Sequence, residues 1–265
     1  MLKNLELQTR RTQATEIIRL AGSTARVSFV QQDFQSQSKG VQDFVSQVDK
    51  RTEQYIREEF LKAFPNDTVM GEEGGGQLGN CTWIVDPIDG TSNFVRGVGL
   101  WCISAALVVN GQVVIGIIFD PMLDEMFTCH AGGGSTLNGA SIRVSDTNSA
   151  AAATLGISFN FQNSKNPVSG VVEQLLSNNT SFRMLGAGAL SLAHCAAGRT
   201  DGFWEAFMKP WDAAAGLALV SEAGGIVCDY GANSGFESGN AVLVSNEPLA
   251  NYFSQIVQVP LSTGS

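Results

Sequence analysis

Two aspartates three residues apart mark residues 83–94, which read WIVDPIDGTSNF. The apolar run before Asp86 predicts a buried strand, and we expect Pro87 to stop its regular ladder because proline has no backbone N–H. Asp89 then brings a second carboxylate to the end of the same strand. Residues 90–92 are typical of a helix start, where free N–H groups can bind an anion. Two such carboxylates could hold a hard cation against a phosphate, which is the chemistry of a metal-dependent phosphatase.

The same residues also fit a purely structural interpretation. Asp-Pro and Asp-Gly are common turn dipeptides, so Asp86 could simply end the strand. Glu72 and Glu73 precede three glycines, which is typical of an exposed acidic loop as well as of a metal ligand on a mobile hinge. Asp212 follows Pro210 before an alanine-rich run, and N-capping of a helix would also explain it. The combination of acidic residues in separate stretches is what favours a metal site.

The available ligand atoms predict the kind of metal. Carboxylate oxygens select Mg²⁺, Mn²⁺ or Ca²⁺ over Zn²⁺ or Cu²⁺, and the two histidines, His130 and His194, belong to no spaced ligand set. Phosphate monoester hydrolysis requires the barrier to fall by on the order of 20 kcal/mol, whereas a lone general base supplies only about 10²–10⁴-fold. Metal ions that stabilise both the attacking and the leaving oxygen would therefore carry most of the catalysis.

Four ordered motifs in this chain resemble those of the inositol monophosphatase family, the lithium-sensitive, magnesium-dependent sugar phosphatases. They are residues 39–49, residues 71–73, residues 86–94 and residues 211–216, the last continuing to residues 222–225. The motifs follow the expected order, so the resemblance spans nearly the whole chain. Ser46 stands where the family commonly has threonine, and it keeps the hydroxyl group.

The resemblance implies a role for each matched position. Two to three Mg²⁺ ions would be held by Glu72, Asp86, the backbone carbonyl of Ile88, Asp89 and Asp212. The catalytic residues would be Thr91, Asp49 and Glu72. The substrate would be bound by Gly90, Thr91, Gly186, Ala187, Glu205 and Asp212. Within these sets, Thr91 and Asp49 would orient and deprotonate the attacking water, and Glu205 would contact the hydroxyl groups of the sugar.

Composition limits the classes of partner. The chain has 265 residues, 44% of them hydrophobic, and a net charge of −9, which argues against a nucleic-acid-binding surface. It contains no run of about 18 apolar residues and no signal-peptide core, so we expect no membrane partner. Five scattered cysteines without CxxC spacing suit reduced thiols in a cytoplasm. We therefore expect a cytoplasmic enzyme whose partner is a small phosphate monoester, and the resemblance suggests a homodimer.

Periodicity divides the chain into two halves. Residues 1–149 predict an N-terminal α+β half that carries most metal ligands, with helices at 4–31 and 49–64. Its strands are predicted at 81–85, 101–109, 112–119 and 125–130. Asn110-Gly111 predicts a hairpin and Asn138-Gly139 a further turn, so the sheet should be largely antiparallel.

Residues 150–265 predict a C-terminal α/β half that carries Asp212 and the sugar pocket. Its strands are predicted at 154–159, 181–185, 202–204, 226–229 and 241–244. Its helices are predicted at 168–177, 187–197, 212–222 and 248–257. Residues 156–167 are predicted to form a surface loop beside the pocket. This alternation favours an α/β layer arrangement. The family resemblance implies a five-layered αβαβα sandwich with mixed and antiparallel sheets and the metals between its halves.

Three functional hypotheses follow. The first is Mg²⁺-dependent hydrolysis of myo-inositol monophosphates or related small sugar and polyol phosphates. The second is the same chemistry on histidinol phosphate, fructose 1,6-bisphosphate or a 3′-phosphoadenosine nucleotide, although Ser92 and Asn93 differ from the Lys-Glu of nucleotide-specific relatives. Glu205 favours inositol, because a carboxylate can accept hydrogen bonds from neighbouring hydroxyls. The third is a non-catalytic regulatory family member, against which the intact set of carboxylates argues.

Overall fold

The structure is a computed structural model that describes residues 3–40, 43–159 and 168–261, without the side chains of residues 39, 40 and 43–45. Its helices are α1 (Asn4–Gln31), α2 (Gln47–Ala63), α3 (Thr91–Val95), α4 (Val168–Ser177), α5 (Gly188–Ala196), α6 (Pro210–Glu222), α7 (Gly235–Ser238) and α8 (Ala250–Val257). Its strands are β1 (Ser36–Gly40), β2 (Asp43–Ser46), β3 (Thr68–Gly71), β4 (Cys81–Asp89), β5 (Cys102–Val109), β6 (Gln112–Asp120), β7 (Glu125–His130), β8 (Ser135–Leu137), β9 (Ala140–Ile142), β10 (Thr154–Ile157), β11 (Ser181–Arg183), β12 (Gly202–Met208), β13 (Ile226–Val227) and β14 (Asn240–Ser245).

A seven-stranded sheet joins β3 to β9 in chain order. Only β3 and β4 are parallel, and every later neighbour is antiparallel. The predicted hairpin is confirmed, because Val109 pairs with Gln112 across a two-residue turn. Both turn residues have positive φ, 49° at Asn110 and 79° at Gly111, which is the conformation that asparagine and glycine tolerate best.

A five-stranded mixed sheet has the order β11-β10-β12-β14-β13. Strand β10 runs parallel to both β11 and β12. Strand β14 runs antiparallel to β12 and β13. The expected combination of mixed and antiparallel pairing is confirmed.

Three apolar clusters hold five layers together, and one of them fills both sides of the middle layer. Helices α1 and α2 cover one face of the seven-stranded sheet, where Ile117 of β6 points. Helices α5 and α6 fill the space between the two sheets and contact Ile118 of β6 and Phe203 of β12. Helices α4 and α8 cover the far face of the five-stranded sheet, where Trp204 lies. Adjacent residues on one strand therefore serve different clusters, as the pleat requires, and the αβαβα sandwich is confirmed.

Several predicted boundaries need correction. Strands predicted at 81–85 and 202–204 continue to Asp89 and Met208, and those predicted at 154–159, 181–185 and 226–229 end earlier, at Ile157, Arg183 and Val227. Residues 156 and 157 of the predicted pocket loop belong to β10, and residues 160–167 of it lie outside the described residues. Within the described residues, no helix combines the length and the apolar character needed to cross a membrane.

Candidate metal centre

Asp86 and Asp89 lie on the same strand, on either side of an irregularity. Asp86 is opposite Ser104 and Asp89 is opposite Cys102, so three steps along β4 match two along β5. This is the count of a β-bulge. Residues three apart on a regular strand point to opposite faces, and the extra residue turns both carboxylates to one side. The expectation that Pro87 stops the strand is wrong, because the bulge accommodates a residue without an N–H.

Asp212 reaches the same place from the other half of the fold. Helix α6 begins at Pro210 with Lys209 at its N-cap position, so N-capping does not explain Asp212, which lies in the first turn. The backbone carbonyl of Trp211 accepts a hydrogen bond from Ser104 Oγ at 3.0 Å. This contact ties the start of α6 to β5, next to the bulge.

The carboxylates of Asp86, Asp89 and Asp212 converge. Each offers one oxygen atom, and these atoms lie within 4.8 Å of one another. None of the three forms an ion pair with a lysine or arginine of the described chain. Three acidic groups thus share a small, largely buried volume.

The electrostatic cost of this arrangement is visible in the pKa values. Burial raises the pKa of Asp86 well above its usual range, and repulsion from Glu72, Asp212 and Asp89 raises it further. Burial and then the charge of Asp89 raise the pKa of Asp212 to about 7. Burial also raises the pKa of Asp89, which backbone N–H groups of α5 partly oppose. Each group holds its proton more tightly than an exposed aspartic acid.

The donor set fits a hard divalent cation. All three side chains offer oxygen, and oxygen ligands are those that Mg²⁺, Mn²⁺ and Ca²⁺ prefer. Buried carboxylates without cationic partners are rare in proteins unless they share protons or bind a metal. A bound cation would offset the mutual repulsion that raises these pKa values.

Glu72 lies beside this cluster. Its backbone N–H donates to the carbonyl of Val85 at 3.2 Å, which fixes it against β4 one residue before Asp86. Its carboxylate is the charged group with the largest effect on the pKa of Asp86, after burial. Glu72 therefore lies near Asp86, but it does not belong to the group of carboxylate oxygens that approach within 4.8 Å of one another, and its role as a fourth acidic ligand stays a prediction.

Thr91, Ile88 and Asp49 form a second group next to the carboxylates. The Thr91 hydroxyl lies 3.0 Å from Asp49 Oδ1 and 2.9 Å from the carbonyl oxygen of Ile88, and it donates its single proton to one of them. The N–H of Ile88 donates to Asp86 Oδ1 at 2.8 Å. One chain of contacts thus connects the metal-ligand candidates to the candidate base.

Asp49 is held by the start of α2. Ser46 occupies the N-cap position, and its N–H donates to Asp49 Oδ2 at 2.9 Å. The Ser46 hydroxyl accepts the N–H of Asp49 at 3.4 Å, which completes a capping box, and it also accepts the N–H of Val48 at 3.0 Å. Burial raises the pKa of Asp49, and the Ser46 and Thr91 hydrogen bonds oppose this rise. Ser46 thus supplies the hydroxyl group that this capping box needs.

Asp89 also organises the start of α5. Its Oδ1 accepts the N–H of Gly188 at 3.0 Å, and its Oδ2 accepts the N–H of Leu190 at 3.2 Å. These groups are among the donors that a helix leaves unsatisfied at its N-terminus, and a carboxylate there is favoured by the helix dipole. The Cys102 thiol donates to Oδ2 from 3.5 Å.

The residues predicted to bind substrate surround this centre. Gly90 has φ 93°, and a Cβ on it would lie 3.1 Å from the Cβ of Ala187 and 3.4 Å from the carbonyl oxygen of Gly186. The predicted phosphate residue and the predicted sugar loop are therefore in contact. Asn93 joins them, since its Nδ2 donates to the Leu185 carbonyl at 2.8 Å.

Glu205 lies on β12 and is 7% exposed. Its Oε2 is 3.6 Å from the position of a Cβ built on Gly188, which places it next to the start of α5. Burial raises the pKa of Glu205 well above its usual range, the charge of Asp212 adds to the rise, and a hydrogen bond with Ser158 opposes it.

Some residues of the site were not predicted from the sequence. The N–H groups of Gly188 and Leu190 bind Asp89 across 99 and 101 residues of chain, and no local pattern indicates such a contact. Asn93 stands inside the motif of residues 86–94, so the motif was its signal. Glu53 of α2 contacts the loop that carries Glu72. No signal in the sequence indicated this contact, because α2 contains several other charged residues.

The fold and the site together define a five-layered α/β sandwich with a carboxylate centre between its two sheets. The chain matches the model of the inositol monophosphatase family over residues 6–259. It is 39% identical over 236 residues to an inositol-1-monophosphatase of Rhizobium meliloti (strain 1021), covering 87% of this chain and 88% of that protein. This chain belongs to the inositol monophosphatase family.

Relatives with a different name and a solved structure agree with this membership. The chain is 37% identical to the Nus factor SuhB of Pasteurella multocida (strain Pm70), covering 79% of this chain and 81% of that protein. The solved IMPase of Thermotoga maritima has a TM-score of 0.82 and 32% sequence identity, covering 92% of this chain and 94% of that one. The similarity thus extends over both sheets.

Proposed function

We propose that this protein is a Mg²⁺-dependent phosphatase that hydrolyses myo-inositol monophosphates or related small sugar and polyol phosphates. One observation carries the proposal: the carboxylates of Asp86, Asp89 and Asp212 approach within 4.8 Å of one another. The inositol-1-monophosphatase named among its relatives supports the choice of substrate class.

The chain offers five groups to hold two to three Mg²⁺ ions: the side chains of Glu72, Asp86, Asp89 and Asp212 and the backbone carbonyl of Ile88. When bound, Mg²⁺ would polarise the phosphate and lower the pKa of the attacking water. The protein's contribution is to fix these oxygens before substrate arrives, through the bulge of β4 and the first turn of α6.

Thr91 and Asp49 are the residues proposed to orient and deprotonate the attacking water. The Thr91 hydroxyl lies 3.0 Å from Asp49 Oδ1, so a proton taken from water at Thr91 has a short path to the carboxylate. Because burial raises the pKa of Asp49, this group accepts a proton more readily than an exposed aspartate does.

Substrate binding is proposed to divide between two loops. The backbone N–H groups of Gly90 and Thr91 would hold the phosphate, with Gly186 and Ala187 lining the sugar side. Glu205 would accept hydrogen bonds from two neighbouring hydroxyls of the substrate ring. The contact between Gly90 and Ala187 supports this division, because it brings the two loops to one pocket.

A substrate panel tests the proposal. Phosphate release would be measured with and without Mg²⁺ on both inositol 1-phosphate enantiomers, histidinol phosphate, fructose 1,6-bisphosphate and 3′-phosphoadenosine 5′-phosphate. We expect Mg²⁺-dependent release with the highest kcat/KM on an inositol phosphate, and its loss in Asp212→Asn. Preference for histidinol phosphate or fructose 1,6-bisphosphate would keep the chemistry and change the substrate. No release from any compound would refute the enzyme.

A regulatory role is the second candidate, because several relatives carry the name Nus factor SuhB. The same panel separates the two, since a non-catalytic protein releases no phosphate although it binds the metal. We also propose a cytoplasmic homodimer on the basis of family membership, which light scattering of the purified protein and fractionation of cells would test.

A further inference from the structure

Helix α2 reaches the loop that carries Glu72. Glu53 lies on α2 and is only 3% exposed. Its Oε2 accepts the N–H of Glu73 at 2.7 Å, and its Oε1 accepts the N–H of Gly74 at 2.9 Å. A buried carboxylate therefore binds the two backbone amides that directly follow Glu72.

Arg57, one helical turn further along α2, completes the contact. Its Nη2 donates to Glu53 Oε1 at 3.0 Å and to the carbonyl of Gly75 at 2.9 Å. Its Nη1 donates to the carbonyl of Val69 at 2.7 Å. The guanidinium thus spans the strand that enters the loop and the residue where the loop returns. Gly71 and Gly75 close the loop with two reciprocal N–H···O bonds of 3.0 Å each.

The close approach of Glu53 depends on a glycine. A Cβ on Gly71 would lie 2.3 Å from Glu53 Cδ, so a side chain at this position would collide with the carboxylate. The glycine before Glu72 therefore makes room for the carboxylate. The glycines after Glu73 are exposed, as expected for a loop, and α2 contacts this loop through Glu53 and Arg57.

The contacts fix both peptide groups beside Glu72. On one side its own N–H donates to the carbonyl of Val85 on β4, at 3.2 Å. On the other side the N–H of Glu73 donates to Glu53. Because the two flanking peptide planes set the direction of the Cα–Cβ bond, the Glu72 side chain leaves the backbone in one direction. The backbone of Glu72 is thereby held beside Val85, the residue before Asp86.

We infer that Glu53 and Arg57 are positioning residues that hold the Glu72 carboxylate at the metal centre and thereby set how tightly the site binds Mg²⁺. The inference rests on the proposed function. Neither residue touches the metal or the substrate in this proposal, and both act through Glu72. Groups that orient a metal ligand typically change metal affinity when they are replaced.

The test is Glu53→Gln, which keeps the shape of the side chain but leaves one acceptor for two amides. Calorimetric titration with Mg²⁺ should give a dissociation constant about tenfold higher than that of the wild type. The Mg²⁺ concentration for half-maximal phosphate release should rise by a similar factor, while kcat at saturating Mg²⁺ stays within about twofold. Glu59→Gln is the matched control, since Glu59 is on α2 and pairs with exposed Lys62 at 2.6 Å. It should leave Mg²⁺ affinity unchanged.

An unchanged Mg²⁺ dissociation constant in Glu53→Gln, with or without a lower unfolding temperature, overturns the inference, because a merely structural role would produce that result. If Glu53→Gln does not fold, Arg57→Lys decides the question. A lysine keeps the charge but cannot span Val69 and Gly75 together, so Mg²⁺ affinity should fall several-fold, and an unchanged affinity again overturns the inference. Failure of the wild type to bind Mg²⁺ or release phosphate would instead defeat the proposed function.

Discussion

Several buried carboxylic acids of this protein have raised pKa values. Asp86, Asp212 and Glu205 all have pKa values raised first by burial and then by the charge of a neighbouring acid. Each of them therefore binds a proton more readily than an exposed carboxylic acid, so protons would compete with a metal ion for the same oxygens.

The contribution of Asp212 to the stability of the metal-free protein should fall as pH rises from about 4 to about 7. Asp212 has a pKa of about 7 in the folded protein and about 3.9 in an unfolded chain. Over this interval the folded state binds more protons than the unfolded state, so the free energy of unfolding decreases with rising pH. Bound Mg²⁺ would relieve the repulsion among the carboxylates, and its stabilising effect should be larger at about pH 8 than at about pH 5.

Thermal unfolding with excess Mg²⁺ or with EDTA across this pH range measures the effect. Asp212→Asn is the control, because it removes one titrating group and should flatten the curve recorded in EDTA. A Mg²⁺-induced shift of the midpoint that is the same at every pH would contradict this account.

Replacing Glu205 by glutamine should reduce discrimination among sugars. A hydrogen bond to a charged group contributes about 1.5–3 kcal/mol, so Glu205→Gln should lower kcat/KM for an inositol phosphate about 10- to 100-fold. Hydrolysis of p-nitrophenyl phosphate, which has no ring hydroxyls, should be nearly unaffected. Steady-state kinetics would give kcat/KM of the wild type and of Glu205→Gln on both substrates. An equal loss of kcat/KM on the two substrates would assign Glu205 a general role in catalysis instead.

At the scale of elements, helix starts and one bulge bring the site residues together. The bulge of β4 turns Asp86 and Asp89 to one side, the first turn of α6 supplies Asp212, and the first turn of α5 donates to Asp89. The sequence predicted the longer helices and the turn at Asn110 correctly, because local periodicity and turn chemistry determine them, but it did not predict the short helix α7. It missed the bulge, because pairing with a neighbouring strand determines the register.

Asn93→Asp should loosen the junction between α3 and the loop before α5. Asn93 Nδ2 donates to the carbonyls of Leu100 at 2.7 Å and Leu185 at 2.8 Å, and an aspartate would set a carboxylate against both. We expect the free energy of unfolding to fall by about 1–3 kcal/mol and KM for an inositol phosphate to rise. Asn178→Asp, at the exposed end of α4, is the control and should leave KM unchanged. A normal KM in Asn93→Asp would show that the loop does not depend on this amide.

The whole molecule is held together by its middle layer. Helices α5 and α6 lie between the two sheets. The start of α5 donates hydrogen bonds to Asp89, and the start of α6 accepts one from Ser104 of β5. A Cβ on Gly216 of α6 would lie 2.3 Å from the Cβ of Leu192 on α5. The separation of the two helices is therefore set by the absence of a side chain.

Gly216→Ala should destabilise the whole fold. Overfilling a close-packed core costs about 1–3 kcal/mol, which exceeds the roughly 1 kcal/mol that alanine gains over glycine in a helix. Gly170→Ala is the matched control, because a Cβ at that position in α4 meets no atom of the described residues within 4 Å and should stabilise the protein slightly. Chemical denaturation measures the free energy of unfolding of both variants. An unchanged value for Gly216→Ala would mean that the two helices can move apart without loss of stability.

The sequence alone determined the oxygen-rich ligand set, the helices and hairpins, and the resemblance that implied the sandwich, because residue chemistry, periodicity and ordered motifs are properties of the chain itself. The tertiary structure decided which distant groups meet. Asp89 binds the start of α5, Glu53 reaches the loop of Glu72, and Asp212 joins Asp86. These contacts depend on strand register and on the close approach of layers, and both are set by the whole core rather than by any local segment.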